Sequence, residues 1–279
     1  MNFNGTAGIW RKDAIEKSGG WQGDTLTEDL DLSYRVQLEN YRIVYDFDLE
    51  CPAEIPNNVI SLKSQQKRWA KGSIETARKL LPRIFKSRNL SLTQKIEAFM
   101  HLTHYMVAVL MMTICLLALP VILWIPSLKI GLLLMILWVI IIICAFAPCV
   151  MYTGSGIVLK RGFFSFSHFP AMLAMGTGLC INNAIAVFEA LRGKKTEFVR
   201  TPKSGSLDKH SRKGRYMNSA DRKIFIYEFI LGIYCLFTFV VYLQSSKYMF
   251  GFFIGAYAFG LIVFSLNTLS HLWRSNRGE

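Results

Sequence analysis

The chain has 279 residues, 52% of them apolar, and a mean hydropathy of +0.30, where soluble domains have roughly 45–50% apolar residues. Most of that excess lies beyond Phe99, so residues 1–98 read as a mixed soluble domain and much of the rest must be solvated by lipid. A net charge of +13 fits either nucleic-acid binding or the cytoplasmic lysine and arginine excess of a membrane protein. Apolar spans beside the charges, and the lack of any nucleic-acid-binding motif, favour the membrane and leave nucleic acid out as a partner. Of the six cysteines, five lie in apolar segments and none makes a CxxC pair, so neither a disulfide framework nor a zinc site is expected.

In chain order, Met1-Asn2-Phe3-Asn4-Gly5-Thr6 reads like the interior of a domain, with Met1 as an internal methionine or the start of a broken gene. Thr6 to Trp10 suits a short strand. Asp13 to Ser18 suits a short helix ended by Gly19-Gly20. Thr27 has the chemistry of a helix N-cap, with Glu28 and Asp29 in a first turn that favours carboxylates. Leu30, Tyr34 and Leu38 then share a face at i, i+4, i+8. Arg42 to Tyr45 suits a second strand, and Pro52 and Pro56 mark a loop. A helix is expected from Val59 to Leu80, stopped by Pro82.

Four stretches, about 99–125, 130–152, 224–244 and 249–272, are apolar over the roughly 20 residues that a bilayer needs, and they pair as two hairpins. A fifth, His168 to Leu191, is apolar but holds Asn182, Asn183 and Glu189. Lys160 and Arg161 precede it, and a basic run from Arg192 to Lys223 follows. Positive charge on both flanks places both ends in the cytoplasm, so the stretch is expected to lie at the interface or to be re-entrant. Residues 1–98, 153–223 and 273–279 are then cytoplasmic, with 99–152 and 224–272 as membrane hairpins. Segment 203–221, rich in Lys, Ser, Gly and Arg, reads as a loop.

Gln65, Arg68 and Trp69 stand at i, i+3, i+4 on one helix face. A guanidinium binds phosphate through paired N–H donors, and an indole offers a flat surface to a sugar ring. The competing reading is a solvated, charged helix face near the membrane. Thr27-Glu28-Asp29 places carboxylates at a helix start, suited to general-base work, although plain capping explains them equally well.

Taken together, Thr27-Glu28-Asp29 and Gln65-x-x-Arg68-Trp69 resemble the TED and QxxRW pair of processive family 2 glycosyltransferases, the cellulose and mannan synthases. Phe3-Asn4-Gly5-Thr6-Ala7-Gly8 is similar to the segment before the base in mannan and glucomannan synthases. Phe198-Val199-Arg200-Thr201-Pro202-Lys203 resembles the FxVTxK gating loop of cellulose synthases, with Arg200 in place of valine. The resemblance implies an α/β GT-A domain, present here as its carboxy-terminal part (1–98), followed by four transmembrane helices and interfacial helices.

On that resemblance Asp29 is the catalytic general base, and Glu28 beside it helps to place the acceptor. Thr27 and Trp69 bind the acceptor. Gln65, Arg68, Phe198, Thr201 and Lys203 contact the nucleotide diphosphate. The donor would be a UDP- or GDP-hexose and the product a β-glycan exported across an inner or plasma membrane. Mg²⁺ or Mn²⁺ is implied as cofactor, with its ligands in a nucleotide-binding half expected upstream. No metal ligand is assigned here, since Asp46 and Asp48 lie after the base rather than before it. The chain alone is expected to be inactive. The competing readings are a lipid glycosyltransferase of the ceramide glucosyltransferase type and a non-catalytic four-span membrane protein.

Overall fold

The computed structural model describes residues 2–3, 5–46, 48–56, 58–124, 132–160, 167–196 and 223–277. The helices among them are α1 (Lys12–Lys17), α2 (Glu28–Leu38), α3 (Val59–Lys86), α4 (Leu92–Thr103), α5 (Met106–Trp124), α6 (Leu132–Val158), α7 (Phe169–Gly178), α8 (Cys180–Leu191), α9 (Ile224–Gln244) and α10 (Tyr248–Arg277). They fall into two compact units. The first comprises residues 1–112, 179–224 and 267–279, and the second residues 113–178 and 225–266.

The first unit is built around α3, which packs against α2, α4 and α8. Helical periodicity divides α3 into three faces. Ser73, Ala77, Leu80 and Ile84 face α4, where the Ser73 hydroxyl donates to the Leu102 carbonyl at 2.9 Å and Tyr34 of α2 joins Ala98 and Leu102 in one apolar cluster. Leu30 and Leu38 pack on that cluster, as their spacing from Tyr34 predicts. Gly72 and Thr76 face the start of α2. Lys63, Lys67 and Lys71 face α8, where Ile74 meets Val187 and Ala190. Asn58 caps α3 by accepting from the Ser61 N–H at 2.8 Å. Ser91 and Gln94 form a reciprocal capping box on α4.

In the second unit the helices approach through small residues. An added Cβ on Gly260 of α10 would lie 1.9 Å from Thr177 Oγ1, and one on Gly178 of α7 would lie 2.5 Å from the Phe264 ring. Pro120 lies inside α5 and has no N–H for the Leu116 carbonyl one turn back. Tyr234 of α9 supplies the missing donor, its hydroxyl bonding Leu116 O at 2.8 Å. The Tyr242 hydroxyl also donates to Ala118 O, at 3.0 Å.

Among the described residues three helices are long and apolar enough to cross a membrane: α5, α9 and α10 over Tyr248–Arg274. The 27-residue sequence of α6 carries no charged residue. The apolar stretch around 168–191 is broken at Leu179 into α7 and α8, which fits a broken span or a re-entrant segment.

Four expectations change. Among the described residues there is no strand: Thr6 to Trp10 and Arg42 to Tyr45 lack a neighbouring ladder, without which extended backbone is not a sheet. Pro82 does not stop α3, which continues to Lys86 because the fully buried Ile84 anchors the last turn in the α2–α4 cluster. The span expected from residue 99 starts at Met106, since Ala98 and Leu102 of α4 belong to the first unit's core. Thr27 occupies the N-cap of α2 but makes no side-chain cap bond.

Candidate active site

Thr27 makes no cap bond because its side chain is used against α3. It is 7% exposed and sits on the bare backbone of Gly72, where an added Cβ would lie 2.5 Å from Thr27 Cγ2, 2.6 Å from its Oγ1 and 2.9 Å from its N. Its hydroxyl lies 3.4 Å from that of Thr76. One residue earlier, the Leu26 N–H donates to Glu75 at 2.9 Å. Further along α2, Asp31 is fully buried between Arg35 at 2.7 Å and Lys79 at 2.9 Å.

This locking fixes the two acidic neighbours of Thr27. Glu28 is exposed and Asp29 half-buried. The Asp29 carboxylate accepts the Leu30 N–H at 2.9 Å. Gly5, at a φ of +79° that favours glycine, stands close by: an added Cβ there would lie 2.9 Å from the Asp29 Oδ2. Burial pushes the Asp29 carboxyl above its ordinary value and Glu28 adds to this, while the Leu30 N–H and the Arg68 guanidinium oppose it. Burial in turn lowers Arg68, against Asp29 and Glu28. Arg68 stays charged, since guanidinium titrates far above neutrality.

Arg68 belongs to the α3 face that carries Gly72 and Thr76. The Thr27–Gly72 contact therefore brings Glu28, Asp29 and Arg68 into one electrostatic field. Trp69 follows with 41% of its surface exposed. Gln65 lies one turn earlier, half-buried. Thr27 is placed against α3 rather than in the open. Phe198, Thr201 and Lys203 lie outside the described residues.

The described residues do not fit a divalent cation. Among those described, no group of three or more His, Cys, Asp or Glu side chains converges. Of the pair Asp29 and Asp31, the second is already neutralised by Arg35 and Lys79. Asp46 accepts the Asp48 N–H at 3.1 Å in an exposed turn. No chemical step here is derived through a metal.

The first 153 residues decide the family. A model described as glycosyl transferase family group 2 matches residues 3–153. The chain belongs to that family. Among curated family relatives, the glucomannan 4-beta-mannosyltransferase 7 of Arabidopsis thaliana is 42% identical over 95 residues, 34% of this chain and 17% of that protein. The glucomannan 4-beta-mannosyltransferase 1 of Oryza sativa subsp. japonica is 36% identical over 97 residues, 35% of this chain and 19% of that protein. The chain thus spans less than a fifth of the length of these family members.

Sequence reasoning passed over a second set of residues at this site. Lys71, 1% exposed, donates to the Lys194 carbonyl and to Thr196 Oγ1 at 2.8 Å. Arg78 donates to the Ala190 carbonyl at the end of α8. Glu189 collects Lys67 at 3.7 Å, Lys71 at 3.9 Å and Lys194 at 2.8 Å. Residues 194–196 are thereby tied to the turn of α3 that follows Arg68 and Trp69. The available signal was Glu189 itself, a carboxylate in an apolar stretch, read against the lysines at 63, 67 and 71.

Proposed function

We propose that this chain carries the acceptor and leaving-group side of an inverting, membrane-bound glycosyltransferase that adds a hexose to a β-glycan of the mannan or glucomannan type. The observation that carries this reading is the seating of Thr27 on Gly72, which brings Asp29 and Arg68 into one electrostatic field; Trp69, next in sequence to Arg68, is exposed. Asp29 takes the proton from the acceptor hydroxyl as its oxygen attacks the anomeric carbon. The bond to the nucleoside diphosphate breaks with its electron pair on the phosphate oxygen, and configuration inverts. Burial makes the carboxylate a stronger base than an ordinary aspartate, which suits proton transfer near neutral pH. Arg68 and Gln65 stabilise the diphosphate as charge develops, with Phe198, Thr201 and Lys203 as further nucleotide contacts. Glu28 tunes the base, and Trp69 stacks on the acceptor sugar.

The donor, a UDP- or GDP-hexose, and any divalent cation are assigned to an α/β GT-A half of the kind that the resemblance implies. The apolar helices support membrane anchoring, with the site facing the cytoplasm and the glycan exported.

Two measurements test the reading. Purified chain in detergent should bind short β-1,4-linked manno-oligosaccharides, with a change in indole fluorescence that disappears in Trp69→Ala. Substituted for the matching segment of a glucomannan mannosyltransferase, the chain should support sugar incorporation from nucleotide-sugar, and Asp29→Asn should abolish it. Undiminished incorporation with Asn at 29 refutes the assignment of the base. Incorporation into lipid but not glycan would move the acceptor to the ceramide class.

A further inference from the structure

The contact between Thr27 and Gly72 sets how far the carboxylate side of this site stands from the guanidinium side. Arg68, Gly72 and Thr76 recur at i, i+4, i+8 and so occupy one stripe of α3. Thr27 is the residue before α2, and Asp29 is the second residue within it. The first turn of α2 rests on α3 at Gly72 through three Thr27 atoms, all closer to a would-be Cβ than van der Waals contact permits: 2.5, 2.6 and 2.9 Å. One of them is a backbone nitrogen, so the approach is of main chain to main chain and cannot be relieved by a rotamer alone. Glycine is the sole residue that leaves the required space. Gly154, by contrast, has nothing within 4 Å of its Cβ position.

We infer that Gly72 is a positioning residue, a notch that seats Thr27 and so holds the Asp29 carboxylate within the field of Arg68. The inference rests on the proposed reading for its catalytic meaning but not for its geometry. Adding one methyl group at 72 drives Thr27 back from 2.5 Å to ordinary carbon–carbon contact, a retreat of about 1 Å. Glu75, bonded to the Leu26 N–H, and Lys79, paired with Asp31, hold α2 on either side of the notch, so the turn carrying Asp29 tilts away from Arg68 rather than detaching. A misplacement of about 1 Å at a reacting group costs on the order of a hundredfold in rate. The charged groups acting on Asp29 are Glu28 from its own helix and Arg68 from α3. Withdrawal from Arg68 removes the lowering influence and leaves burial and Glu28 to act, so the Asp29 carboxyl should titrate at higher pH.

The test is the pH dependence of carbodiimide coupling at Asp29 in the full chain, read by peptide mass spectrometry with the exposed Glu39 as internal standard and Asp29→Asn as the blank. Gly72→Ala should move the Asp29 midpoint to higher pH, while Gly154→Ala should leave it in place. Gly72→Ala with Thr27→Ala, which removes the two side-chain atoms nearest the new methyl, should bring the midpoint back towards that of the unaltered chain. If Gly72→Ala alone fails to fold and the double variant folds with a restored midpoint, the notch is equally supported. An unmoved midpoint in Gly72→Ala overturns the proposal, and so does a double variant that neither folds nor restores it. Labelling needs no sugar transfer. A moved midpoint in a chain whose Trp69 binds no oligosaccharide would therefore keep the positioning role and remove only the transferase reading.

Discussion

The two units of this chain bury polar groups in different ways. In the first, whole charges go inside: Asp31 is fully buried, and Arg35, Lys63 and Lys71 are at most 2% exposed. Each has a fixed partner, Arg35 in Asp31, Lys63 in Thr268 at 2.7 Å, and Lys71 in Thr196 and the Lys194 carbonyl. In the second, the buried polar groups among the described residues are, apart from Glu228, hydroxyls such as Thr177, Thr238 and Ser265, which donate to helix carbonyls. Its backbones close on one another through Gly178, Gly232 and Gly260, as helices do where no hydrophobic effect drives them together. Buried charge tolerates one arrangement and penalises all others. The side chains proposed to meet a substrate, Asp29, Arg68 and Trp69, belong to the first unit.

If that contrast holds, the largest losses come from the first unit. Asp29→Asn removes the proposed base and should reduce transfer by the glucomannan mannosyltransferase chimaera about 10²–10⁴-fold, the usual worth of a positioned proton acceptor, while leaving thermal unfolding of the chain in detergent near that of the unaltered chain. Glu189→Gln should act the other way round. It leaves Lys71 buried beside Lys67 and Lys194 with their shared carboxylate gone, and stability should fall by about 3 kcal/mol, measured by denaturant unfolding in micelles. Burial alone would raise the Glu189 carboxyl, but Lys194, Lys67 and Lys71 together hold it below its ordinary value of 4.5. A depressed carboxylate stabilises above the unfolded value, and that stability is lost as pH falls through the folded one. The difference between Glu189 and the Gln variant should thus persist at neutral pH and shrink progressively below 4.5. A constant difference across that range would show that the lysines do not depend on its charge.

The local chemistry of both helices was readable in the sequence: the carboxylates opening α2, the Leu30–Tyr34–Leu38 face, and the start of α3 at Val59. What could not be read were relations between elements. The wedge of Thr27 in Gly72 joins residues 45 positions apart, and nothing in a threonine before Glu-Asp says whether its hydroxyl will cap its own helix or pack on another. Glu189 needs three lysines from two segments before its burial makes sense. Pro82 misled because helix propensity was weighed without the buried Ile84 beyond it. The strands expected at 6–10 and 42–45 are a pairing property, and no segment among the described residues pairs with them.

Trp69 sharpens the comparison from the side of function. Its neighbour Arg68 is half-buried, while the indole is 41% exposed, so truncation removes exposed ring surface and little core. Trp69→Ala should weaken manno-oligosaccharide binding by about tenfold, some 1.4 kcal/mol, with unfolding almost unchanged. Equal losses in both would make it a packing residue instead.

The smallest effect expected, Tyr234→Phe, tests the second unit on its own terms. The substitution removes one oxygen and leaves the ring packing in place. The carbonyl that loses its donor is Leu116 O, which Pro120 has already deprived of its helical partner. A single neutral hydrogen bond of this kind contributes about 1 kcal/mol, and in a membrane setting often less. Pro120→Ala supplies an N–H to the same carbonyl from within α5, so the tyrosine hydroxyl becomes dispensable there. The cost of Tyr234→Phe should therefore be smaller in the Pro120→Ala background than in the unaltered chain, and a double-mutant cycle on unfolding in micelles reads the difference directly. Additive losses would mean that the tyrosine acts through packing rather than by satisfying that carbonyl. The second unit would then be held by close backbone approach, with hydroxyl bonds adding nothing.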